Sequence, residues 1–335
     1  MPSRLFNTLT QRVETLQPLQ PGVVRVYTCG PTVHDRPHIG NLRSFLAEDL
    51  LRRHLEARGL RVEQVMNITD LDDKIIAKAG RAGVGIEEFT APYVEAFFSD
   101  LERLRVEPAQ HYPRASHYVE QMQELVQRLI DSGHAYPSEG SVYFRIASFA
   151  AYGRLSRLDL SGLRAGASGR IDADEYDPKE VAGDFVLWKA TRPGEPASWP
   201  SPWGPGRPGW HLECSAMAMA LLGDSFDIHG GGVDNKFPHH ENEIAQSESL
   251  TGRPLAQIWF HVEHLVVSGG KMAKSDGNAL TLDWLVQRGY SPLAIRYHIL
   301  GNTHYRQKLH FREEDLVGAA ESLDRLATFW RRCSP

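Results

Sequence analysis

Short apolar runs and helically spaced apolar residues alternate in the first part of the chain. Residues 23–28 are rich in β-branched and aromatic types and stop at a Cys-Gly-Pro turn, which predicts a strand. From Leu42, apolar residues recur at helical spacing as far as Gly59, which predicts a helix with residues 38–41 at its N-terminus. A second strand is predicted over 61–68. Such a strand-helix-strand unit binds ligands at the carboxyl ends of its strands, and its helix N-terminus attracts anions.

The middle of the chain interrupts this alternation. A helix predicted from the apolar positions between Val119 and Ile130 is followed by a short strand at 142–144, which begins an insertion. Two stretches with little apolar periodicity, 160–177 and 192–209, are expected to be long surface loops. A strand is predicted at 184–188, and later apolar runs at 226–229 and 258–262 predict strands that complete a buried parallel sheet. We therefore predict an α/β fold in which a doubly wound parallel sheet is split by an insertion.

The last part of the chain is expected to be mostly helical. Helices are predicted to begin at Thr281 and at Ser291-Pro292, the latter with proline at its first position. The apolar face of the final helix, from about Arg312, continues as far as Trp330, and we expect no further domain behind it. The first half of a Rossmann-like catalytic domain is predicted at 1–112, followed by a connective insertion at 113–180. The second half of the catalytic domain, with a candidate metal site, is predicted at 181–264, and a KMSKS-like loop and helical region at 265–335.

Composition and charge fit an enzyme-sized globular protein. The 335 residues are 41% hydrophobic and 24% charged, the usual globular mixture, and leave room for about two domains. The net charge of −5 excludes a general basic surplus, so a nucleic-acid partner would need a local patch. The N-terminus lacks an apolar signal segment, and no apolar run approaches the roughly 18 residues that span a bilayer. We therefore expect a cytoplasmic protein with no membrane contact.

The first chemical motif combines two distant segments. His38-Ile39-Gly40-Asn41 lies at a predicted helix N-terminus, and Lys271-Met272-Ala273-Lys274-Ser275 follows a glycine pair. Either segment alone is typical of an ordinary helix cap or a basic loop. Together, and in this order, they resemble the HIGH and KMSKS signatures of class I aminoacyl-tRNA synthetases. Imidazole, amide and ammonium donors suit the negative charge that develops when ATP is attacked at its α-phosphate.

The second candidate is a metal site. Of the three cysteines, Cys29 ends the first predicted strand and Cys214 lies in the segment GWHLEC, while His239 and Glu243 are four residues apart on a predicted helix. Two thiolates, an imidazole and a carboxylate can form a Zn²⁺ site. The spacing alone also fits a small core cysteine and a solvated helical pair. Cys333 is interpreted as a structural or exposed thiol.

A third segment, His229-Gly230-Gly231-Gly232-Val233-Asp234, follows a predicted strand. Glycines let a backbone approach a ligand closely, and a carboxylate beyond them can accept hydrogen bonds from ribose hydroxyls. As an isolated motif it is weak, because glycine runs are more often simple turns.

Four longer segments extend the resemblance to one family. They are YTCGPTV at 27–33, NITDLDDK at 67–74, WGPGRPGWHLECSAM at 203–217 and FPHHENEIAQS at 237–247. The chain from about residue 27 to residue 311 resembles the cysteinyl-tRNA synthetases, class I enzymes with a Rossmann-like catalytic domain. The resemblance implies one tightly bound Zn²⁺ whose matching ligands are Cys29, Cys214, His239 and Glu243.

The same resemblance implies roles for the remaining motif residues. The amino-acid pocket would be lined by Gly30, Thr32, Thr69 and Trp210. ATP would be bound by Gly40, the 230–232 glycines (Gly230, Gly231 and Gly232), Asp234 and Lys274, with the glycines and Asp234 holding the adenosine. Catalytic donors to the phosphates would be His38, Asn41, Lys271 and Lys274. ATP would arrive with Mg²⁺, although the sequence shows no dedicated protein cage for that ion.

The chain departs from the family pattern in three places. Asn41 replaces the second histidine of HIGH, and Ala273 replaces the serine of KMSKS, which leaves both lysines in place. The family also continues beyond this length into a helical bundle and an anticodon-reading domain.

Three functional hypotheses follow from the resemblance and its departures. The first is a monomeric cysteine–tRNA ligase core acting on L-cysteine, ATP and the acceptor stem of tRNA(Cys). The second is a ligase that transfers cysteine to a small amine, similar to the mycothiol-pathway enzyme. The third is a non-catalytic zinc-binding regulator.

Overall fold

The computed structural model describes residues 2–157, 184–192, 195, 197–267 and 280–333, together with the backbone of 270–271. The strands, in chain order, are β1 (Arg4–Asn7), β2 (Arg12–Thr15), β3 (Val23–Thr28), β4 (Arg61–Met66), β5 (Ala135–Ser138), β6 (Ser141–Phe144), β7 (Phe185–Ala190), β8 (Gly206–Pro208), β9 (Phe226–Gly232), β10 (Ala256–Val262), β11 (Leu265–Val267), β12 (Gly270–Lys271) and β13 (Leu309–His310). The α-helices are α1 (Ile39–Ala57), α2 (Asp73–Ala82), α3 (Ile86–Arg103), α4 (Val119–Asp131), α5 (Trp210–Leu222), α6 (His239–Thr251), α7 (Leu282–Gln287), α8 (Pro292–Gly301) and α9 (Asp315–Cys333).

A parallel sheet of order β10-β9-β3-β4 forms the centre of the fold, as the strand-helix-strand pattern predicts. Alternate residues of β3 face opposite sides of this sheet, because side chains on a strand alternate with period two. Val26 packs in the cluster that contains Leu51 and Leu55 of α1. Tyr27 faces the other side, where it packs in the cluster that contains Met217 of α5 and Ile244 of α6. Helices therefore cover both faces, as expected for a doubly wound sheet.

The helix α1 begins at Ile39, so residues 38–41 lie at its N-terminus as predicted. His38 is its N-cap: the ring Nδ1 accepts from the backbone N–H of Asn41 at 3.1 Å, and the Asn41 Oδ1 accepts from the N–H of His38 at 3.2 Å. This reciprocal cap gives the N–H of His38 a partner and adds a second acceptor to the N–H of Asn41, which also donates to the His38 carbonyl at 2.9 Å. β4 ends at Met66 rather than at 68, because the N–H of Ile68 bonds to the carbonyl of Pro113.

The insertion forms an antiparallel sheet of order β5-β6-β7-β8. The strand predicted at 184–188 corresponds to β7, which pairs with β6 and β8 and so belongs to this sheet rather than to the parallel one. The stretch 192–209 is also not wholly a loop, since its end forms β8. Trp188, fully buried in β7, contacts Trp203 edge to face, which explains why this proline-rich stretch folds onto the sheet. The predicted boundary at residue 180 divides this sheet, and the predicted loop at 160–177 lies outside the described residues.

The C-terminal helices start where their caps predict. Ser291 precedes Pro292 at the start of α8, and the Thr281 hydroxyl accepts from the N–H of Trp284 at the start of α7. The first half of α9 buries Leu316, whereas Trp330 near its end is 72% exposed. Among the described residues, no helix has both the length and the apolar character needed to cross a membrane.

Candidate active site and metal centre

Three elements bring the predicted metal ligands to the carboxyl edge of the central sheet. Cys29 follows β3, and its backbone N–H bonds to the carbonyl of Gly230 at 3.1 Å. Cys214 lies in the first turns of α5. His239 and Glu243 lie one turn apart at the start of α6, so their side chains share one face of that helix. Ligands of open α/β sheets bind at this edge.

The four side chains are close together and buried. One ligand atom from each of Cys29, Cys214, His239 and Glu243 lies within 4.8 Å of all the others. Glu243 is fully buried, and the exposed fraction of Cys214 is 2%. The structure thus assembles, in one place, the residues that the family resemblance implies as ligands.

The two thiols differ in acidity. The pKa of Cys214 is lowered to about 6 because the Cys29 thiol donates a hydrogen bond to it and His239 lies beside it, although burial opposes the change. The pKa of Cys29 is raised well above its usual value by burial, by its hydrogen bond to Cys214 and by the negative charge of Glu243. The cluster therefore combines a thiolate, a second thiol and a carboxylate away from water, and such a group calls for a cation.

The residues present fit a zinc ion. Oε1 of Glu243 is buried and has no hydrogen-bond partner among the described residues; Nε2 of His239 is 3.2 Å away but is not aligned as a donor. A buried carboxylate oxygen without a donor is a costly arrangement unless a cation neutralises it. Two sulfurs, one imidazole nitrogen and one carboxylate oxygen are donors that zinc accepts.

A group of histidines, for which the sequence predicts no role, surrounds the cluster. Nε2 of His229 lies 2.8 Å from Oε2 of Glu243, and Nε2 of His240 lies 3.2 Å from the Cys29 sulfur. His240 in turn bonds to His261 at 2.8 Å. His229 and His240, with Cys29 and Glu243, also meet the same 4.8 Å proximity. The position of His229 at the end of a predicted buried strand was the signal available in the sequence.

The predicted amino-acid pocket borders the metal cluster. The indole of Trp210 stacks on the His239 ring, with centroids 4.5 Å apart and planes 26° apart, and is 37% exposed. Thr32 and Thr69 form a parallel bridge just beyond the carboxyl ends of β3 and β4. Gly30 is required there, because a Cβ at this position would lie 1.7 Å from the carbonyl oxygen of Asn67. All four predicted pocket residues therefore lie at this edge of the sheet.

The predicted nucleotide residues are placed in part. Backbone at the N-terminus of α1 meets the chain beyond 279, since the N–H of Ile39 donates to the carbonyl of Leu280 at 2.8 Å. A Cβ at Gly40 would lie 2.9 Å from Nδ1 of His38, so glycine leaves room for the capping ring. The backbone of Lys271 lies in β12, where it pairs with Val266. Lys274 lies outside the described residues.

The glycine run at 230–232 is approached closely by neighbouring side chains. A Cβ at Gly231 would lie 3.0 Å from the His240 ring, and a Cβ at Gly232 would lie 2.5 Å from a carboxylate oxygen of Asp234. Gly230 lies in the same way against Glu48, at 3.2 Å. The protein's own packing is thus sufficient reason for these glycines, in addition to any ligand.

Comparisons with known proteins identify the family. Residues 15–321 match the family described as tRNA synthetases class I (C) catalytic domain. A cysteine–tRNA ligase from Chlamydia muridarum is 54% identical over 98% of this chain and 69% of its own length. One from Solibacter usitatus is 51% identical over 99% of the chain and 70% of its own length. The chain therefore spans about 70% of the length of these relatives.

Solved structures support the fold. A Mycobacterium tuberculosis methionyl-tRNA synthetase in complex with methionyl-adenylate has a TM-score of 0.65 at 17% identity, covering 88% of this chain and 67% of its own. A putative arginyl-tRNA synthetase from Campylobacter jejuni has a TM-score of 0.56 at 14% identity, covering 88% of this chain and 66% of its own. At such identity the likeness concerns the fold alone, whereas the family match and the relatives at about 50% identity reach the family. The chain belongs to the cysteine–tRNA ligases, which are the cysteinyl-tRNA synthetases of class I.

Proposed function

We propose that the chain activates L-cysteine with ATP and transfers it to the acceptor end of tRNA(Cys). The observation that carries the proposal is the buried set Cys29, Cys214, His239 and Glu243 at the carboxyl edge of the sheet, next to the predicted amino-acid pocket. In the first step a carboxylate oxygen of cysteine attacks the α-phosphate of ATP, and pyrophosphate leaves. In the second, an acceptor hydroxyl attacks the acyl carbon, and AMP leaves.

Zinc is the cofactor that we propose for the four-residue set. As a soft Lewis acid with a position open to substrate, it would favour the thiolate of cysteine over the harder and less acidic hydroxyl of serine. The protein's part is to hold the four ligands in place. His211 assists, because its Nδ1 lies 3.1 Å from Nδ1 of His239 and so restrains that ring.

The pocket residues orient the amino acid. The partly exposed indole of Trp210 covers one face of the His239 ring, and Thr32 and Thr69 lie at the adjoining strand ends. Excluding water and fixing the carboxylate near the α-phosphate lowers the entropic barrier of the first step. These residues act by position and need no covalent bond to the substrate.

The phosphates of ATP would meet donors from two segments. His38 and Asn41 lie at the N-terminus of α1, where the helix favours negative charge. Lys271 and Lys274 would act from the other side, and ATP would bring Mg²⁺ with it. The 230–232 glycines and Asp234 follow the end of β9, where adenosine is proposed to bind.

The acceptor is proposed to be tRNA. The relatives reported above are cysteine–tRNA ligases, and none of them supports transfer of cysteine to a small amine. A monomer in the cytoplasm remains the prediction for its assembly and location.

The proposal is tested by pyrophosphate exchange and tRNA charging in parallel. Cysteine-dependent exchange between ATP and labelled pyrophosphate is expected, with serine supporting little. Labelled cysteine should also appear on bacterial tRNA. Exchange that fails with fully zinc-loaded protein would refute cysteine activation, and exchange without charging would refute tRNA as the acceptor of this chain.

A matched pair of cysteine variants tests the zinc site. Cys214→Ser should lose bound zinc and, with it, the preference for cysteine over serine, because a serine hydroxyl is a poor zinc ligand. Cys333→Ser should keep both, since Cys333 is exposed at the end of α9. Elemental analysis of the two purified variants gives the answer. Full zinc in Cys214→Ser would remove this residue from the ligand set.

A further inference from the structure

Arg43 is a buried cation in the second turn of α1, the helix whose N-terminus is formed by residues 38–41. Its exposed fraction is 2%. One guanidinium nitrogen, Nη1, donates to the backbone carbonyls of Glu263 at 2.9 Å and His264 at 2.5 Å. The other, Nη2, donates to the carbonyls of Gln307 at 2.7 Å and His304 at 3.3 Å. A single side chain thus bridges two segments that are about 40 residues apart.

These two segments support the strand that carries Lys271. Residues 263–264 lead directly into β11, and residues 304–307 lead into β13. β11 pairs in parallel with β13 and in antiparallel with β12, where Val266 is opposite Lys271. Arg43 therefore holds the two segments that lead into this small sheet against α1, the helix that His38 caps.

The chemistry of the contact is that of a positioning group. Burial lowers the pKa of Arg43 to about 10, with Glu263 acting in the opposite direction, so the guanidinium stays charged at neutral pH. The planar fork of arginine can donate to four carbonyls in two directions, which a lysine ammonium cannot reproduce. Because the guanidinium donates to backbone carbonyls, it fixes the path of the main chain at 263–264 and 304–307.

We propose that Arg43 is a positioning residue for the proposed adenylation reaction, fixing the backbone of the Lys271 strand relative to the His38–Asn41 turn, the two segments proposed to carry the phosphate donors. The inference rests on the proposed function. Displacing one donor segment by about an ångström can cost about 100-fold in rate without contact with the chemistry.

Kinetics of Arg43→Ala test this role. Its rate constant for pyrophosphate exchange should fall about 100-fold, while zinc content and the KM for cysteine stay near the wild-type values, because the metal and pocket lie on other elements. Added guanidinium ion, at concentrations well below those that denature, should restore part of the rate. Arg53→Ala is the matched control on the same helix, since Arg53 is partly exposed and pairs with Asp49 and Glu107.

Hydrogen exchange provides a readout that does not need activity. In Arg43→Lys, amides of 263–267 and 304–311 should exchange faster, while those of β9 stay protected. Unchanged exchange in both segments, or a rate loss that guanidinium does not relieve and that comes with loss of zinc, would overturn the proposal. Absence of pyrophosphate exchange in the wild-type protein would instead refute the proposed function. Amide hydrogen exchange of residues 263–267 would still test whether Arg43 holds that segment in place.

Discussion

Two buried glutamates show opposite ways of keeping a carboxyl group inside this protein. Glu243 lies at the functional edge of the sheet, among two thiols and several imidazoles. Glu48 lies on α1, beneath the sheet, next to Gly230 and in the neighbourhood of Val26 and Leu51. Both side chains are essentially inaccessible to water. Burial alone therefore does not distinguish a site from a core position.

The partners of the two carboxyl groups make the difference. Oε2 of Glu243 has His229 at 2.8 Å, and the remaining oxygen faces the other candidate ligands. Neither oxygen of Glu48 has a hydrogen-bond partner within the described part of the chain, and burial raises its pKa well above the usual value. A neutral carboxylic acid is the form that such a site tolerates. One carboxyl group is thus prepared for a cation, and the other holds a proton.

The largest effect that would separate the two is expected from Glu243→Gln. The amide keeps the shape of the side chain but removes the charge that a metal requires. Zinc affinity should therefore fall by more than the roughly 100-fold that can be lost on changing a residue that only hydrogen-bonds to a metal ligand. Competition with a chelating dye measures this affinity directly.

Glu248→Gln is the control for that experiment. Glu248 lies on the same helix and pairs with Arg154. Its variant should bind zinc as the wild type does. Equal zinc affinity in Glu243→Gln and wild type would show that Glu243 is not a metal ligand, and the contrast between Glu243 and Glu48 would then fail.

Glu48→Gln should raise stability at neutral pH. The unfolded chain releases the proton of Glu48 above its ordinary pKa, whereas the folded chain retains it, so the wild type loses stability as pH rises towards the raised pKa. Glutamine has no proton to release. The advantage of the variant should therefore grow by about 1.4 kcal/mol for each pH unit in that window and be absent below the ordinary pKa.

Urea unfolding at several values between about pH 5.5 and pH 7.5 measures this slope. Glu56→Gln on the same helix is the control, because Glu56 is partly exposed and pairs with Arg52. Its difference from wild type should change little with pH. A pH-independent advantage of Glu48→Gln would mean that Glu48 is ionised in the folded protein.

Much of the central fold was open to prediction from sequence, because its signals are local. The β-branched run before Cys29 and the helical spacing after Leu42 locate β3 and α1. The strand at 185–190 was predicted but its partner strands were not, since a short apolar run carries no information about its partners. Pairing depends on Trp188 and on neighbours far away in sequence.

The candidate site divides in the same way. Family motifs named Cys29 and Cys214, and the structure brings them together with the α6 ligands. Arg43 and Glu48 escaped notice, because at helical spacing a buried charge on α1 looks like a polar position facing solvent. Only the three-dimensional course of residues 263–264 and 304–307 reveals what Arg43 binds.

The smallest expected effect concerns the hydrogen bond that orients Glu243. His229→Leu keeps an apolar side chain beside Trp259 but removes the Nε2 contact to Oε2 of Glu243, so zinc affinity should fall about tenfold. His229→Gln restores a nitrogen donor and should recover part of the loss. The same chelator competition resolves the two variants. Equal losses of zinc affinity in both variants would assign the effect to packing around position 229 rather than to the hydrogen bond between His229 and Glu243.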